Sequence, residues 1–290
     1  MKRIDYATSD YVWSAPEKIE NQKFSIWRFV LCAKSPALDR SMVIKMENYI
    51  DIHSHILPGV DDGAGSMEMS LEMLRMADGD GIVGIILTPH SKPWHRRRNC
   101  VEIAAEAERL RDKLREEGLL IKLYTGNELY YRSGLTRELE DGLAGTLAGS
   151  RYALVEFAPS ADFDFIRKGV YELLTGGYRP VLAHAERYRN LCADKKGVAE
   201  LTAMGCFMQV NAGSVMGRYG FGVMGLTRKM LKQGMVHFIA TDAHDGKRRR
   251  PCLSECAKYV EKKFGADSSR RLFFDNPLCV LKDEDITMTT

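Results

Sequence analysis

Five of the seven histidines in this 290-residue chain stand at or just past the end of a short apolar run, where carboxylates also collect. The first run, YIDIH, leads into His53-Ser54-His55, and the second ends in Thr88-Pro89-His90. The fifth ends in His184 and the seventh in Asp242-Ala243-His244, while the third, fourth and sixth end in Gly126-Asn127-Glu128, Glu156 and Asn211. Along a strand, positions i and i+2 project from the same face, so His53 and His55 can offer two imidazoles to one cation, as Asp242 and His244 can offer a carboxylate and an imidazole. Nitrogen and oxygen donors in that mixture suit Mn, Fe or Zn. The chemistry they would support is the binding of divalent metal ions.

Structural roles compete for some of these residues. A carboxylate at a strand end can cap the following helix, which is the alternative for Glu156, Asp61 and Asp62. His237 lies inside a run and reads as core; His95 lies in an arginine-rich loop and reads as surface. Two basic clusters, Arg96-Arg97-Arg98 after the second run and Lys247-Arg248-Arg249-Arg250 after the seventh, are either solvated loops or an anion-binding fringe. Arg187, three residues after His184 in HAERYR, points the same way, and guanidinium forks match phosphate geometry. Metal ligands and arginines together predict an anionic, phosphorylated substrate.

Positioning such residues on one rim requires a particular architecture. Seven β-branched or apolar runs recur at 49–53, 82–88, 120–126, 152–157, 180–184, 206–211 and 236–242. Stretches of helical period separate most of them, among them SMEMSLEMLRMAD, NCVEIAAEAERLRDKLREE and DFIRKGVYELLTG. That alternation predicts βα units and a parallel sheet. In a closed parallel barrel the C-terminal ends of the strands converge on one rim, where barrel enzymes build their sites. Residues 47–290 have the length of one barrel of seven or eight repeats. Residues 1–46 lack the periodicity and read as an appendage: a partner-binding arm, or sequence upstream of a true start at Met46.

Composition narrows the class. Apolar residues make up 45% and charged residues 28%, enough for a buried core and against disorder. Forty-two Lys and Arg against 39 Asp and Glu leave +3, so bulk charge implies no nucleic-acid partner. The apolar runs are too short to cross a bilayer and the N-terminus lacks an apolar leader, which predicts a cytoplasmic protein without membrane insertion. Seven scattered cysteines read as reduced thiols. None is followed six positions later by Arg, which removes the phosphate-binding loop of thiol phosphatases.

The segments DIHSHILPGVDDGA, LTPH, GNELYY, LVEF, LAHAERY and TDAH, spread over residues 51–251, resemble in order and spacing the PHP-domain protein-tyrosine phosphatases of bacterial capsule operons, the CpsB/CapC type. The resemblance implies a distorted (β/α)7 barrel of the TIM-like PHP superfamily holding three divalent metals, often manganese, with Fe or Zn as alternatives. Residue by residue, it implies that His53, His55, Glu128 and Asp242 hold the first metal. Glu128 bridges to a second held by Glu156 and His184, and Asp62, with Asp61 the alternative, joins His90 and His244 at the third. Arg187 and Arg250, with Arg248 and Arg249 the alternatives to the second, take the phosphate-clamping roles, and His184 or a metal helps the leaving oxygen. A metal-activated water replaces the cysteine nucleophile, and a phenolate leaving group of pKa ~10 departs with little acid assistance. The implied substrate is the tyrosine-rich tail of a bacterial tyrosine kinase that controls capsule or exopolysaccharide synthesis. Two other functions stay open at this point: a phosphatase for a small phosphomonoester such as histidinol phosphate, and a non-catalytic metal-bound module that binds phosphotyrosine. Whether the chain forms a homo-oligomer is likewise open.

Overall fold

The computed structural model describes residues 48–94, 98–188, 191 and 195–287. The expectations for residues 1–46 and for His95, Arg96 and Arg97 therefore lie outside the described residues.

The strands are β1 (Tyr49–Ser54), β2 (Ile82–Leu87), β3 (His90–Ser91), β4 (Lys122–Thr125), β5 (Glu128–Tyr130), β6 (Tyr152–Glu156), β7 (Arg179–Leu182), β8 (Phe207–Asn211) and β9 (Phe238–Ala240). Neighbouring strands pair in parallel, in the orders β1-β2-β4 and β3-β5-β6-β7-β8-β9. The second and third apolar runs contribute β2 and β4, and just past each run a polar kink leads into a further short strand, β3 or β5, that begins at His90 or Glu128. At those kinks the Gly126 amide donates to the Leu87 carbonyl at 2.9 Å and the Glu128 amide to Pro89 at 3.2 Å, so the two sets of strands follow one another as a curled sheet. The first strand also meets the end of the last: the Asp242 amide donates to the His53 carbonyl and the His55 amide to the Ala243 carbonyl, both at 2.8 Å.

Burial explains why these runs became strands. Every residue of β1, β6 and β8 is buried, as strands covered on both faces must be, and such strands read as near-continuous apolar runs. One apolar cluster, including Ile52, Ile86, Leu154, Val181, Phe207 and Phe238, fills the inside of the curl. The larger one packs the other face against helices such as Met67–Gly79, Cys100–Glu116 and Phe163–Thr175. The caps of these helices decide one of the open alternatives. Ser66, Asn99 and Asp162 cap them, accepting from the amides of Met69, Glu102 and Phe165, so neither Asp61, Asp62 nor Glu156 is used as a cap. The five described cysteines, Cys100, Cys206, Cys252, Cys256 and Cys279, are all free.

The C-terminal segment, for which the sequence reading has no counterpart, covers the N-terminal end of the strands. Asn276 Nδ2 donates to the His237 carbonyl at 2.8 Å and the Tyr152 hydroxyl to the Glu284 carbonyl at 2.8 Å. Arg151 and Arg179, at the starts of β6 and β7, pair with Asp283 and Asp285. Among the described residues no helix is long and apolar enough to cross a membrane.

Candidate metal centre

The C-terminal ends of the strands carry a different population of side chains. His53 and His55 end β1 with their Nε2 atoms 3.2 Å apart, both fully buried. Glu128 Oε2 lies 3.4 Å from His53 Nε2, 3.3 Å from His55 Nε2 and 2.8 Å from His90 Nδ1. Asp242 Oδ1 is 3.5 Å from each of the first two nitrogens. His184 Nε2 approaches Glu128 Oε1 at 2.6 Å and Glu156 Oε2 at 3.8 Å, and His90 Nδ1 is 3.2 Å from Glu156 Oε1. Asp62 completes the network, 3.3 Å from His90 Nε2 and 3.5 Å from His244 Nε2. All nine residues named as ligands by the resemblance thus meet in one network.

Three groups within it can each surround a cation, with donor atoms within 4.8 Å of one another: His53, His55 and Asp242; His55, Asp62, His90 and His244; and His90, Glu128 and Glu156. These groupings differ from the expected ones in detail. His55 also joins the third set, and His90 stands with Glu128 and Glu156 where His184 was expected, because the His90 ring presents one nitrogen to each side.

The local backbone is bent to achieve this. His184 and Asp242 have φ of 34° and 52°, values in the left-handed region that non-glycine residues seldom adopt. Strain of this kind, costing ~1–3 kcal/mol per residue, persists where the surroundings over-determine it and clusters at functional sites. The loop after β1 is equally constrained. A Cβ on Gly63 would lie 2.0 Å from the His55 carbonyl oxygen, so only glycine lets the chain fold back and present Asp61 and Asp62. Asp61 then accepts from His55 Nδ1 at 2.6 Å and from the His90 amide at 2.9 Å. Its neighbour Asp62 faces the cluster, so the adjacent carboxylates divide into one that orients a histidine and one that can bind.

Electrostatics follows from these contacts. Burial drives the His55 imidazole toward neutrality, yet Asp61 and Glu128 outweigh it and push its pKa up to about 9. For His90, burial is again outweighed, here by Asp62, Glu128 and Glu156, and its pKa rises to about 12. Burial works against ionisation of Asp242 and Glu128, but the surrounding cations hold both well below the usual carboxylate range. The buried carboxylates of the cluster thus draw positive charge from each imidazole and guanidinium beside them. Glu128 Oε2, Glu156 Oε1, His90 Nδ1, His184 Nδ1 and His244 Nε2 are buried without a well-formed hydrogen bond. Buried polar atoms without partners are costly, and several converging on one space fit divalent cations.

Two arginines approach from outside. Arg187 Nη2 donates to Asp242 Oδ2 and Arg249 Nη2 lies against Asp242 Oδ1, both at 2.7 Å. Arg250, the residue expected in the clamp, is exposed, and it is Arg249 that reaches the centre. The reason is local: Asp245 Oδ1 accepts from the amides of Lys247, Arg248 and Arg249, and the His244 amide donates to the Arg249 carbonyl, a tight turn that folds Arg249 inward.

Near the centre stand two residues absent from the sequence-based expectations, Gln209 and Lys92, together with Asn211, which ends the sixth run. Gln209 Oε1 accepts from the His184 amide at 2.7 Å and lies 3.1 Å from His53 Nδ1, and its amide nitrogen donates to Asn211. Asn211 in turn donates to Asp242 Oδ2 at 2.7 Å. Lys92 Nζ is 2.9 Å from His90 Nε2 and 3.1 Å from Glu156 Oε1. The available signal for Gln209 was a polar residue within an apolar run, two positions before Asn211 and therefore on its face. His237 sits at the opposite end, where its Nδ1 accepts from the Met208 amide at 3.0 Å, and takes no part in the cluster.

Comparison with known proteins places this geometry in context. Residues 49–282 match the family described as capsular polysaccharide synthesis, CpsB/CapC. The chain is 34% identical over 240 residues to the tyrosine-protein phosphatase CpsB of Streptococcus pneumoniae, covering 81% of this chain and 99% of that one. It is 31% identical over 218 residues to the tyrosine-protein phosphatase YwqE of Bacillus subtilis (strain 168), covering 75% and 86%. A crystal structure from the study of YwqE and CpsB as metal-dependent tyrosine phosphatases superposes with a TM-score of 0.78 at 31% identity, over 83% of this chain and 97% of that one.

Proposed function

The chain belongs to the CpsB/CapC family, and from that premise we propose that it is a metal-dependent protein-tyrosine phosphatase that hydrolyses phosphotyrosine on a bacterial protein, the tail of a tyrosine kinase controlling capsule or exopolysaccharide synthesis. The observation that carries the proposal is the convergence of nine imidazole and carboxylate side chains with two guanidiniums at one rim. We read the curled sheet as the distorted (β/α)7 barrel of the PHP superfamily, with β2 and β3 counting as one strand and β4 and β5 as another. Residues 47–290 form the catalytic domain and residues 1–46 an N-terminal extension, in a protein of the cytoplasm.

Three divalent metals, manganese first and Fe or Zn as alternatives, would be held by His53, His55, Glu128 and Asp242, by Glu128, Glu156 and His184, and by Asp62, His90 and His244. When bound, such metals supply Lewis-acid charge to the phosphoryl oxygens and lower the pKa of water enough to provide a nucleophile near neutral pH. Arg187 and Arg249 anchor on opposite oxygens of Asp242, and the Nε of Arg249 has no hydrogen-bond partner. Guanidiniums so anchored present their remaining donors to a phosphoryl group and neutralise the charge that develops on it. Arg249 therefore replaces Arg250 in the clamp we propose. Asn211, by donating to Asp242, keeps that carboxylate ionised and oriented, and Asp61, by accepting from His55 Nδ1, orients the ring with its Nε2 lone pair directed into the cluster. His184 Nδ1, unpartnered in the structure, offers a site from which the leaving oxygen can take a proton. A phenolate of pKa ~10 makes small demand on it.

The test is phosphate release from a phosphotyrosine peptide before and after chelation, with manganese restored. Activity that is lost with the metal and returns with it is the expected outcome. Release that persists without metal would exclude the mechanism, and none with metal loaded would exclude the phosphatase.

A further inference from the structure

Lys92 and its neighbours draw attention to an aromatic pair beside the centre. Trp94 leaves 62% of its surface exposed, yet its ring is fixed edge-on against Tyr130 with centroids 4.6 Å apart and planes at 76°. Tyr130 ends β5, where it is the register partner of Glu156 on β6. It also lies two residues beyond Glu128, on the same face and about 6.6 Å further along the strand. The pair therefore stands one step outward from two of the cluster's carboxylates.

The segment carrying Trp94 is tied down at its base. His90 and Ser91 pair with Glu128 and Leu129, and Lys92 reaches both His90 and Glu156. Arg132 Nη1 donates to the carbonyls of Ser91 and Tyr130, at 3.3 and 3.0 Å, which holds the ends of β3 and β5 together. An indole held open to solvent by such supports retains much of the ~150–250 Å² that aromatic side chains usually bury.

We infer that Trp94 and Tyr130 form an aryl-binding wall for the ring that carries the phosphate, and so contribute the preference for phosphotyrosine over alkyl phosphates. The inference rests on the phosphatase reading above. A phosphoryl group drawn to the carboxylate and histidine cluster by its cations leaves its aryl substituent pointing outward along the strand direction, where the two rings stand. An alkyl phosphate has no surface to offer there. Edge-to-face or stacked aromatic contacts contribute ~0.5–1.5 kcal/mol beyond area burial, and 1.4 kcal/mol is tenfold in affinity.

The test is calorimetric titration of the manganese-loaded protein with phenylphosphonate and with methylphosphonate, non-hydrolysable probes that differ in the ring. Wild type should bind the phenyl compound about tenfold more tightly. Trp94→Ala should bring the two affinities to within about twofold by weakening the phenyl compound alone, and Trp94→Phe should restore part of the difference. Equal affinities in wild type, or a ratio unchanged in Trp94→Ala, would overturn the wall. Because the readout is binding, it is separate from the phosphatase reading, which fails instead if the loaded wild type releases no phosphate from the peptide.

Discussion

The two ends of the same strands obey opposite rules. At the N-terminal end, the ionic and polar groups have found partners within the chain: Arg151 and Arg179 with Asp283 and Asp285, Asn276 with the His237 carbonyl, Tyr152 with Glu284. At the C-terminal end, buried nitrogens and carboxylate oxygens converge without satisfying one another, and two residues hold positive φ to bring them there. The first arrangement is finished by folding, whereas the second is completed by something that binds. Barrel proteins divide stability and activity between the two ends in this way, and the difference can be broken experimentally from either side.

The largest effect should come from the unfinished end. His53→Ala removes an imidazole 3.4–3.5 Å from both Glu128 and Asp242, and should lower phosphate release from a phosphotyrosine peptide by about 10²–10³-fold, the scale set by losing one charge-stabilising group. Metal content measured on the same sample should fall with it. Unaltered turnover would show that the cluster is not the centre of the chemistry and that the contrast between the ends has been misread.

Next in size is a pH effect at the finished end. Burial, aided by Arg271, lowers the His237 pKa from 6.5 to about 4, and its Nδ1 must stay unprotonated to accept from the Met208 amide. Above pH 6.5 the imidazole is neutral in both folded and unfolded chains and contributes no pH dependence. Below that value the unfolded chain binds the proton first, so stability falls as pH drops from about 6.5 to about 4, by a total of the order of 3 kcal/mol. In His237→Asn, which keeps an acceptor but cannot be protonated, that share of the decline should vanish from denaturant titrations compared with wild type across the range. An identical slope in both proteins would remove His237 from the account.

How much of this could be read beforehand follows the same division. The seven apolar runs and the donors that end them were legible because strand alternation fixes which side chains share a face, and because imidazoles and carboxylates recurring at run ends have few packing uses. Loop geometry was not legible. Asp61 and Asp62 are adjacent in sequence, and only the fold-back at Gly63 decides that one orients His55 while the other faces His90 and His244. Arg249 and Arg250 differ by one position in a turn whose direction Asp245 sets. Gln209 was hidden, and Asn211 was legible only as the polar end of the sixth run, because a polar residue inside a buried strand declares that it needs a partner without saying which. The closure by residues 271–287 left no periodic signal, since its contacts are single hydrogen bonds and ion pairs to strand starts far away in sequence.

The smallest predicted effect sharpens the contrast most, because it asks whether the ends are independent. Tyr152 lies at the start of β6, whose other end carries Glu156, so one strand connects a closing hydrogen bond to a candidate ligand. Tyr152→Phe deletes the hydroxyl that donates to the Glu284 carbonyl and leaves the ring packed near Phe207. A single hydrogen bond of this kind contributes about 1 kcal/mol, and distant sites with no shared partners behave additively. The variant should therefore unfold about 1 kcal/mol more easily in denaturant while kcat/KM for the phosphotyrosine peptide stays within twofold. If activity fell in step with stability, the strand would be transmitting strain from one end to the other, and the finished end would be part of the machinery that holds Glu156 in place.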